Sequence, residues 1–126
     1  MIETFLLNNF YTLESLNKKD DSTLSASIKL NADHDIFKGH FEQMPVVPGV
    51  CQTQIIKEIL QQEVGKNLRL SIGNNIKFTG MIVPAQHPIV QLELKYTSVE
   101  NQYHVDAQLF FENTIFTKFK GTFTTN

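Results

Sequence analysis

The stretch Gly39-His40-Phe41-Glu42-Gln43-Met44-Pro45-Val46-Val47-Pro48-Gly49-Val50 decides where this chain can become helical. Its two prolines, Pro45 and Pro48, fix φ and bias the residues before them away from helical geometry. The segment up to Pro48 is therefore expected to be extended or turned. A helix can begin only after it.

A helix is predicted from Gly49 to about Val64. This range contains no proline and no internal glycine, and its apolar residues recur at helical spacing, at Ile55, Ile56, Ile59 and Leu60. Gly65 is expected to end the helix, because glycine readily adopts the left-handed conformation that closes a helix.

The first turn of this helix offers backbone N–H groups, at Gly49 and Val50, that have no partner inside the helix. Such groups stabilise negative charge on an oxygen. If His40 lies nearby, one site combines a proton acceptor that works near neutral pH with an oxyanion stabiliser. These are the two parts needed to take a proton from the carbon beside a thioester carbonyl.

The sequence from about Phe37 to Val50 resembles the signature of the hot-dog-fold β-hydroxyacyl-(acyl carrier protein) dehydratases of fatty-acid synthesis. The resemblance rests on Gly39-His40-Phe41, on Pro45-Val46-Val47-Pro48-Gly49-Val50 and on the apolar helix that follows. It implies that His40 is a catalytic base and that the substrate is bound by Phe41, Pro48, Gly49 and Val50. It also implies a carboxylate one turn into the helix, supplied by the other protomer, but this chain has Gln54 at that position.

Gln54 is the main departure from the family pattern. A neutral amide can hold a hydroxyl or a water, but it cannot give up a proton, and losing a general acid typically costs about 10²- to 10⁴-fold in rate. An active enzyme would then use a one-base elimination, in which His40 takes the C2 proton and delivers it to the departing C3 hydroxyl while Gln54 orients that hydroxyl. Gln54→Glu should then raise turnover. On a helical wheel Gln54 lies away from the isoleucines, which is also where an ordinary solvated glutamine would be.

Two neighbours on the helix could change this chemistry. Glu58 could replace the missing carboxylate, but it lies a further turn away, about 5.4 Å, and a solvent-exposed Glu–Lys face is the more ordinary interpretation. Cys51 could have a pKa lowered by the helix dipole and pair with His40 as a thioesterase nucleophile. Small buried filler is the more ordinary role for such a cysteine.

Length and composition narrow the class of protein. The 126 residues and 14.4 kDa predict a single domain, 1–126, and a net charge of −2 with one arginine, Arg69, argues against general nucleic-acid binding. No apolar run reaches the roughly 18 to 20 residues that span a bilayer, and Met1–Asn9 is not typical of a signal peptide. The expected location is the cytoplasm. The spacing of His34, Asp35 and His40 matches no strong zinc pattern, so no metal is expected.

Alternating apolar residues predict an antiparallel sheet. The alternation runs from Thr23 to Asn31 and returns over 68–72, 76–82, 90–96, 103–111 and 115–123. Polar turns are predicted at 17–21, 73–75, 100–102 and 112–113, while residues 5–16 fit either a short helix or a first strand. The predicted fold class is α+β, a curved antiparallel sheet wrapped around one long central helix, which is the hot-dog layout.

The long helix also predicts a second chain. A helix of about 16 residues is about 24 Å long, and one small sheet does not easily cover it. The resemblance implies a dimer, either a homodimer or a heterodimer with a related hot-dog protein, with the active sites between protomers. It also implies acyl carrier protein as a partner, with candidate contacts at Lys38, Lys57, Lys66 and Arg69.

The hypothesis from the sequence is dehydration of a 3-hydroxyacyl thioester on acyl carrier protein to the trans-2-enoyl thioester, in fatty-acid or related lipid or polyene synthesis. No metal or redox cofactor is required, because the thioester acidifies the C2 proton and the helix N-terminus carries the developing charge. Two alternatives stay open. One is a non-catalytic acyl-binding subunit that pairs with an active homologue, and the other is an acyl thioesterase.

Overall fold

The structure is a computed structural model that describes residues 2–38 and 45–126. Within these residues the regular elements are, in chain order, β1 (Tyr11–Asp20), β2 (Thr23–Leu30), α1 (Gly49–Val64), β3 (Leu68–Phe78), β4 (Ile89–Val99), β5 (Gln102–Phe111) and β6 (Thr114–Thr125). A single 3-10 turn, Asp35–Phe37, lies between β2 and α1.

The six strands form one antiparallel sheet in the order β1-β2-β4-β5-β6-β3. Most neighbours in the sheet are also neighbours along the chain, but β3 pairs with β6, so β3 lies at one edge and β1 at the other. Together with α1 this is the predicted hot-dog fold, a curved sheet with one long helix.

The core lies between α1 and one face of the sheet. Alternate strand residues are buried, such as Val90, Leu92 and Leu94 of β4, because successive side chains of a strand point to opposite faces. The helix contributes its branched residues, each at most 1% exposed: Ile55, Ile56, Ile59 and Leu60. Burying these surfaces is the main force that holds the helix on the sheet.

The predicted helix bounds are confirmed. Pro48 is extended (φ −61°, ψ 148°) and α1 begins at Gly49, directly after it. At the other end Gly65 has φ 70°, in the left-handed region, and its N–H donates to the Gln61 carbonyl at 2.9 Å. Pro48 thus precedes the helix in an extended conformation, and Gly65 ends it in the left-handed conformation that glycine adopts readily.

Two predicted turns are wrong. The polar run 17–21 is mostly the end of β1, where it pairs with β2 up to Asp20, and 73–75 lies inside β3. Two shifts in the β3–β6 register absorb extra residues there, so the strand bulges and continues instead of turning. The alternation beyond Phe78 predicted further strand over 79–82, which the structure does not form.

The N-terminal segment resolves the choice that the sequence left open. Residues 5–10 form neither a helix nor a regular strand, and β1 begins at Tyr11. Phe10 is fully buried and Leu6 is 9% exposed, so the segment is anchored on the core rather than extended into solvent. Among the described residues, no helix is long and apolar enough to cross a membrane.

Candidate active site

The start of α1 is held in place by buried amide contacts. The Val47 N–H donates to the Ile82 carbonyl at 2.9 Å. The buried Gln52 side chain donates from Nε2 to the Val47 carbonyl at 3.1 Å, and its Oε1 accepts from the Thr117 hydroxyl. The extended segment before the helix is therefore tied both to the first turn of α1 and to β6.

Among the residues that the structure describes, the first two amides of α1 have no hydrogen-bond acceptor. Pro48 is the N-cap and supplies no side-chain hydrogen bond, while its carbonyl accepts from the N–H groups of Cys51 and Gln52 at 3.0 and 3.1 Å. No described residue accepts a hydrogen bond from the N–H of Gly49 or Val50. This helix N-terminus is a suitable position for an oxygen that gains negative charge.

A groove of about 410 Å³ opens beside this helix start. The helix contributes Gly49, Val50, Thr53, Gln54 and Lys57, and the sheet contributes Leu70, Ile76, Phe78 and Phe123. The volume falls within the range of small-molecule sites. Apolar walls with a few polar groups suit an acyl chain that carries a polar head.

Gly49 lets the aromatic wall of the groove approach the helix closely. A Cβ at this position would lie 2.7 Å from Cζ of Phe78, closer than side-chain carbons come in practice. The ring of Phe78 therefore lies against the first turn of α1, although 52% of the residue remains exposed. A residue other than glycine would push the ring away.

One turn further along, Glu58 is fully buried and its carboxylate is surrounded by donors. Five groups donate to it: the N–H of Phe5 at 2.8 Å, of Leu6 at 3.0 Å and of Leu7 at 2.9 Å, the Tyr11 hydroxyl at 3.1 Å, and Nε2 of Gln54 at 2.7 Å. Charge-assisted bonds of this kind offset the cost of burying a carboxylate. Burial and the nearby carboxylate both raise the pKa of Tyr11, burial being the larger cause.

This network corrects two predictions from the helical wheel. Glu58 is not part of a solvent-exposed Glu–Lys face, because the N-terminal segment covers that side of the helix. Gln54 is half-buried and bonded to Glu58, so it is not an ordinary solvated glutamine. A helical wheel shows only which residues share a side of a helix, and it cannot show that another segment covers the side opposite the sheet.

One feature of the sequence indicates that the N-terminal segment packs on this side of α1. The segment Phe5-Leu6-Leu7 is apolar but has no helical or strand period of its own. Such a segment tends to pack on another element, and here Leu6 is buried and Leu7 packs against the core, while Phe5 remains 67% exposed. Its backbone N–H groups then need acceptors, and the Glu58 carboxylate supplies them.

Cys51 is placed as filler rather than as a nucleophile. It is 6% exposed and packs in the hydrophobic core. Burial raises the pKa of its thiol, which is the opposite of what a thiolate nucleophile requires. The pairing of Cys51 with His40 as a thioesterase is therefore not favoured.

Three of the four histidines have structural partners away from the groove. Nδ1 of His34 accepts from the Ile36 N–H at 3.0 Å, and Nδ1 of His87 accepts from the Val83 N–H at 3.0 Å. Nδ1 of His104 lies 3.1 Å from the Thr122 hydroxyl. The partner of His87 is local, four residues earlier in the chain, whereas that of His104 lies on the neighbouring strand β6.

The remaining predicted site residues are not all within the described part of the chain. Pro48, Gly49, Val50 and Gln54 are described, and the last three line one groove. His40 and Phe41 lie outside the described residues. Within the described ranges, 2–38 and 45–126, no three His, Cys, Asp or Glu side chains are grouped as metal ligands would be.

The fold and groove define a hot-dog protein with an acyl-sized groove at the N-terminus of its central helix. A family model described as ApeI-like, ApeI dehydratase, matches residues 16–118. The chain therefore belongs to the ApeI-like dehydratase family.

Solved structures show the same fold at low sequence identity. A chain of the dehydratase heterocomplex ApeI:P from Xenorhabdus doucetiae is 16% identical, with a TM-score of 0.71 over 90% of this chain and 96% of that one. An uncharacterized protein from Erwinia carotovora subsp. atroseptica is 19% identical, with a TM-score of 0.62 over 91% and 92%. A dehydratase studied for substrate selection in the borrelidin and fluvirucin polyketide synthases is 14% identical, with a TM-score of 0.57 over 90% of this chain and 42% of that one.

Proposed function

We propose that this protein dehydrates a 3-hydroxyacyl thioester carried on acyl carrier protein, giving the trans-2-enoyl thioester for fatty-acid, related lipid or polyene synthesis. The observation that carries the proposal is the pair of available amides, Gly49 and Val50, at the head of an apolar groove. Membership of a dehydratase family supports the reaction type.

The amides act on the thioester carbonyl. Their N–H groups donate to its oxygen and stabilise the enolate charge that develops when the C2 proton leaves. The apolar walls at Leu70, Ile76 and Phe78 hold the acyl chain, and they strengthen this electrostatic effect by excluding water.

His40 is the proposed base. It belongs to the segment outside the described residues, so its role is inferred from the family signature in the sequence. The other histidines support the choice, because each has a structural partner and none lines the groove. His40 takes the C2 proton, the electron pair forms the C2–C3 double bond, and the C3–O bond breaks as His40 returns the proton to the hydroxyl, which leaves as water.

A second hot-dog chain completes the proposed site. Leu70 and Phe78 of the edge strand β3 line the groove and are 39% and 52% exposed, and Ile72 of the same strand is 51% exposed. An unpaired apolar edge is a surface that proteins normally cover. We propose that the same strand of a second chain, a copy or a related protein, pairs with it.

Acyl carrier protein is the proposed donor of the acyl chain. Lys57 lines the groove and could meet an acidic partner at its mouth, whereas Lys38 already pairs with Asp35 at 3.4 Å on the surface. Lys57 is therefore the stronger of these two candidate contacts. Lys66 and Arg69 remain proposals from the sequence.

The test is product analysis by mass spectrometry. The purified protein is supplied with a short 3-hydroxyacyl carrier protein and, in a parallel reaction, with the enoyl form, because hydration is favoured at equilibrium. His40→Ala should abolish interconversion. His104→Ala is the matched control, since this histidine lies away from the groove, and it should keep the wild-type rate.

Other outcomes would contradict the proposal in distinct ways. Free acid and thiol as products would identify a thioesterase. Binding of the acyl carrier protein without interconversion would identify a non-catalytic subunit that lends its groove to an active homologue.

A further inference from the structure

We infer that Glu58 is a positioning residue that fixes the side-chain amide of Gln54 in one orientation, with its oxygen offered to the groove as a hydrogen-bond acceptor for a substrate hydroxyl. This inference rests on the proposed function, because it names how that site recognises the 3-hydroxyl of its acyl ligand. It assigns a role to a buried carboxylate that does not line the groove.

The orientation of Gln54 follows from the chemistry of Glu58. Four other groups, three backbone N–H groups and the Tyr11 hydroxyl, already donate to Glu58, so its carboxylate acts here as an acceptor. The amide of Gln54 must therefore direct its nitrogen to Oε2 of Glu58, 2.7 Å away, because an oxygen in that place would face another acceptor. The contact with Glu58 therefore determines which end of the Gln54 amide is the nitrogen and which is the oxygen.

The carboxylate itself cannot turn away. Oε2 also accepts from the N–H groups of Phe5 and Leu6, while Oε1 accepts from the Leu7 N–H and the Tyr11 hydroxyl. Any rotation would break several of these bonds at once in a site that water does not reach. Gln54 is consequently held by a rigid partner rather than by a surface contact.

The other end of the amide is left for a ligand. Gln54 lines the groove, and no described residue donates to its Oε1. A 3-hydroxyl that donates to this oxygen keeps its own lone pairs free to receive a proton. A ligand without that hydroxyl leaves the oxygen unsatisfied, so the site should discriminate against it.

The same contact changes what Gln54→Glu is expected to do. The new carboxylate would lie beside Oε2 of Glu58, where Nε2 is now 2.7 Å away. Two carboxylates this close cannot both be ionised, so one takes up a proton or moves away. The rise in turnover expected from the sequence should therefore not follow from the single substitution.

The experiment measures binding of unreactive ligands by titration calorimetry. One ligand is a 3-hydroxyacyl pantetheine with an amide in place of the thioester, and the other is the same compound without the 3-hydroxyl. Wild type should prefer the hydroxylated ligand by about fivefold, the worth of one ordinary hydrogen bond. Gln54→Met and Glu58→Gln should each lose the preference, and the double variant should be no different from either.

Tyr11→Phe is the matched control. It removes a donor from the same carboxylate, on Oε1, without touching the bond from Gln54. It should therefore lose stability but keep the fivefold preference. If Glu58→Gln fails to fold, NMR of the wild-type Gln54 amide decides: a downfield, slowly exchanging proton supports the bond, and free-amide shifts overturn the inference.

The outcomes separate this inference from the proposed function. Turnover by a wild type that shows no preference for the hydroxyl would overturn the inference alone. A preference that survives in Glu58→Gln would overturn the positioning role. Failure of both ligands to bind would overturn the proposed function and the inference together.

Discussion

At the scale of single residues, the buried carboxylate of Glu58 joins the N-terminal segment and Tyr11 to α1. It is fully buried, and its partners come from a segment more than 45 residues earlier in the chain as well as from its own helix. A buried charge is tolerated only when it is paired or well hydrogen-bonded. Removing a donor to this carboxylate is therefore expected to lower the free energy of unfolding more than the loss of a surface hydrogen bond would.

Tyr11 allows this to be tested by pH. Its raised pKa means that the folded state keeps a phenol proton that the unfolded state releases above about pH 10. The contribution of Tyr11 to stability is therefore complete below pH 10 and is lost as the pH rises further, by at most about 1.4 kcal/mol per pH unit. Urea unfolding of wild type and Tyr11→Phe between pH 8 and 11 should show the wild type losing stability more steeply above pH 10. Parallel slopes would contradict the assignment.

At the scale of elements, the N-terminal segment is attached to α1 by its backbone as well as by its buried side chains Leu6 and Phe10. The amides of Phe5, Leu6 and Leu7 donate to Glu58 rather than to a strand. A side chain in the middle of α1 thus accepts the backbone N–H groups of another segment. The segment and the helix should consequently separate when the carboxylate is removed.

Glu58→Ala should destabilise the protein by at least about 3 kcal/mol, because it leaves several buried donors without an acceptor. Hydrogen exchange at the amides of Phe5, Leu6 and Leu7 should accelerate before exchange in the sheet does. Glu63→Ala is the control on the same helix, since its pair with Lys18, at 3.4 Å, lies on the surface and is worth about 1 kcal/mol or less. Unchanged protection of the three amides in Glu58→Ala would disprove the attachment.

The β3–β6 pair depends on a glycine at its bulge. A Cβ on Gly121 would lie 2.7 Å from the Ile72 carbonyl oxygen, a backbone atom that cannot rotate away. Gly121→Ala should therefore cost about 1–3 kcal/mol, the usual range for overpacking. The control is Gly80→Ala, whose Cβ would have no neighbour closer than 3.5 Å. Similar thermal shifts in both variants would show that the bulge tolerates a side chain.

At the scale of the whole molecule, the sheet has two edges with different character. Lys18 and Lys19 lie on the edge strand β1, and charged residues on an edge discourage pairing. The other edge, β3, also has Arg69 and Lys77, but it carries the exposed apolar residues Leu70, Ile72 and Phe78, of which Leu70 and Phe78 line the groove. Assembly is therefore expected at β3, where it also closes the candidate site.

Ile72→Lys should weaken this assembly, because it places a charge on the proposed contact. Sedimentation should give wild type a mass of twice 14.4 kDa and the variant a mass of 14.4 kDa, with lower turnover. The matched control is Val99→Lys, since Val99 is a similarly exposed apolar residue, 54% against 51%, at the end of β4. A wild-type protein that sediments as a monomer would contradict the homodimer. The second chain would then have to be a related protein.

The sequence by itself determined the helix and its bounds, most strands, the fold class and the dehydratase resemblance. The helix and the strands depend on local rules: proline and glycine define the ends of α1, and alternation reports which face of a strand is buried. The resemblance depends on a motif, which is read directly from the sequence. The position of Gln54 opposite the family carboxylate also needed no structure.

Only the tertiary structure decided that β3 continues through Gly73-Asn74-Asn75, that Glu58 is buried, and that Gln54 is bonded to it. Turn-forming residues can equally form a bulge, and the choice depends on whether β6 offers a pairing edge. The environment of Glu58 depends on contacts with residues more than 45 positions away, which no local pattern encodes. Burial and hydrogen bonding at this site were set by how the chain folds back on itself.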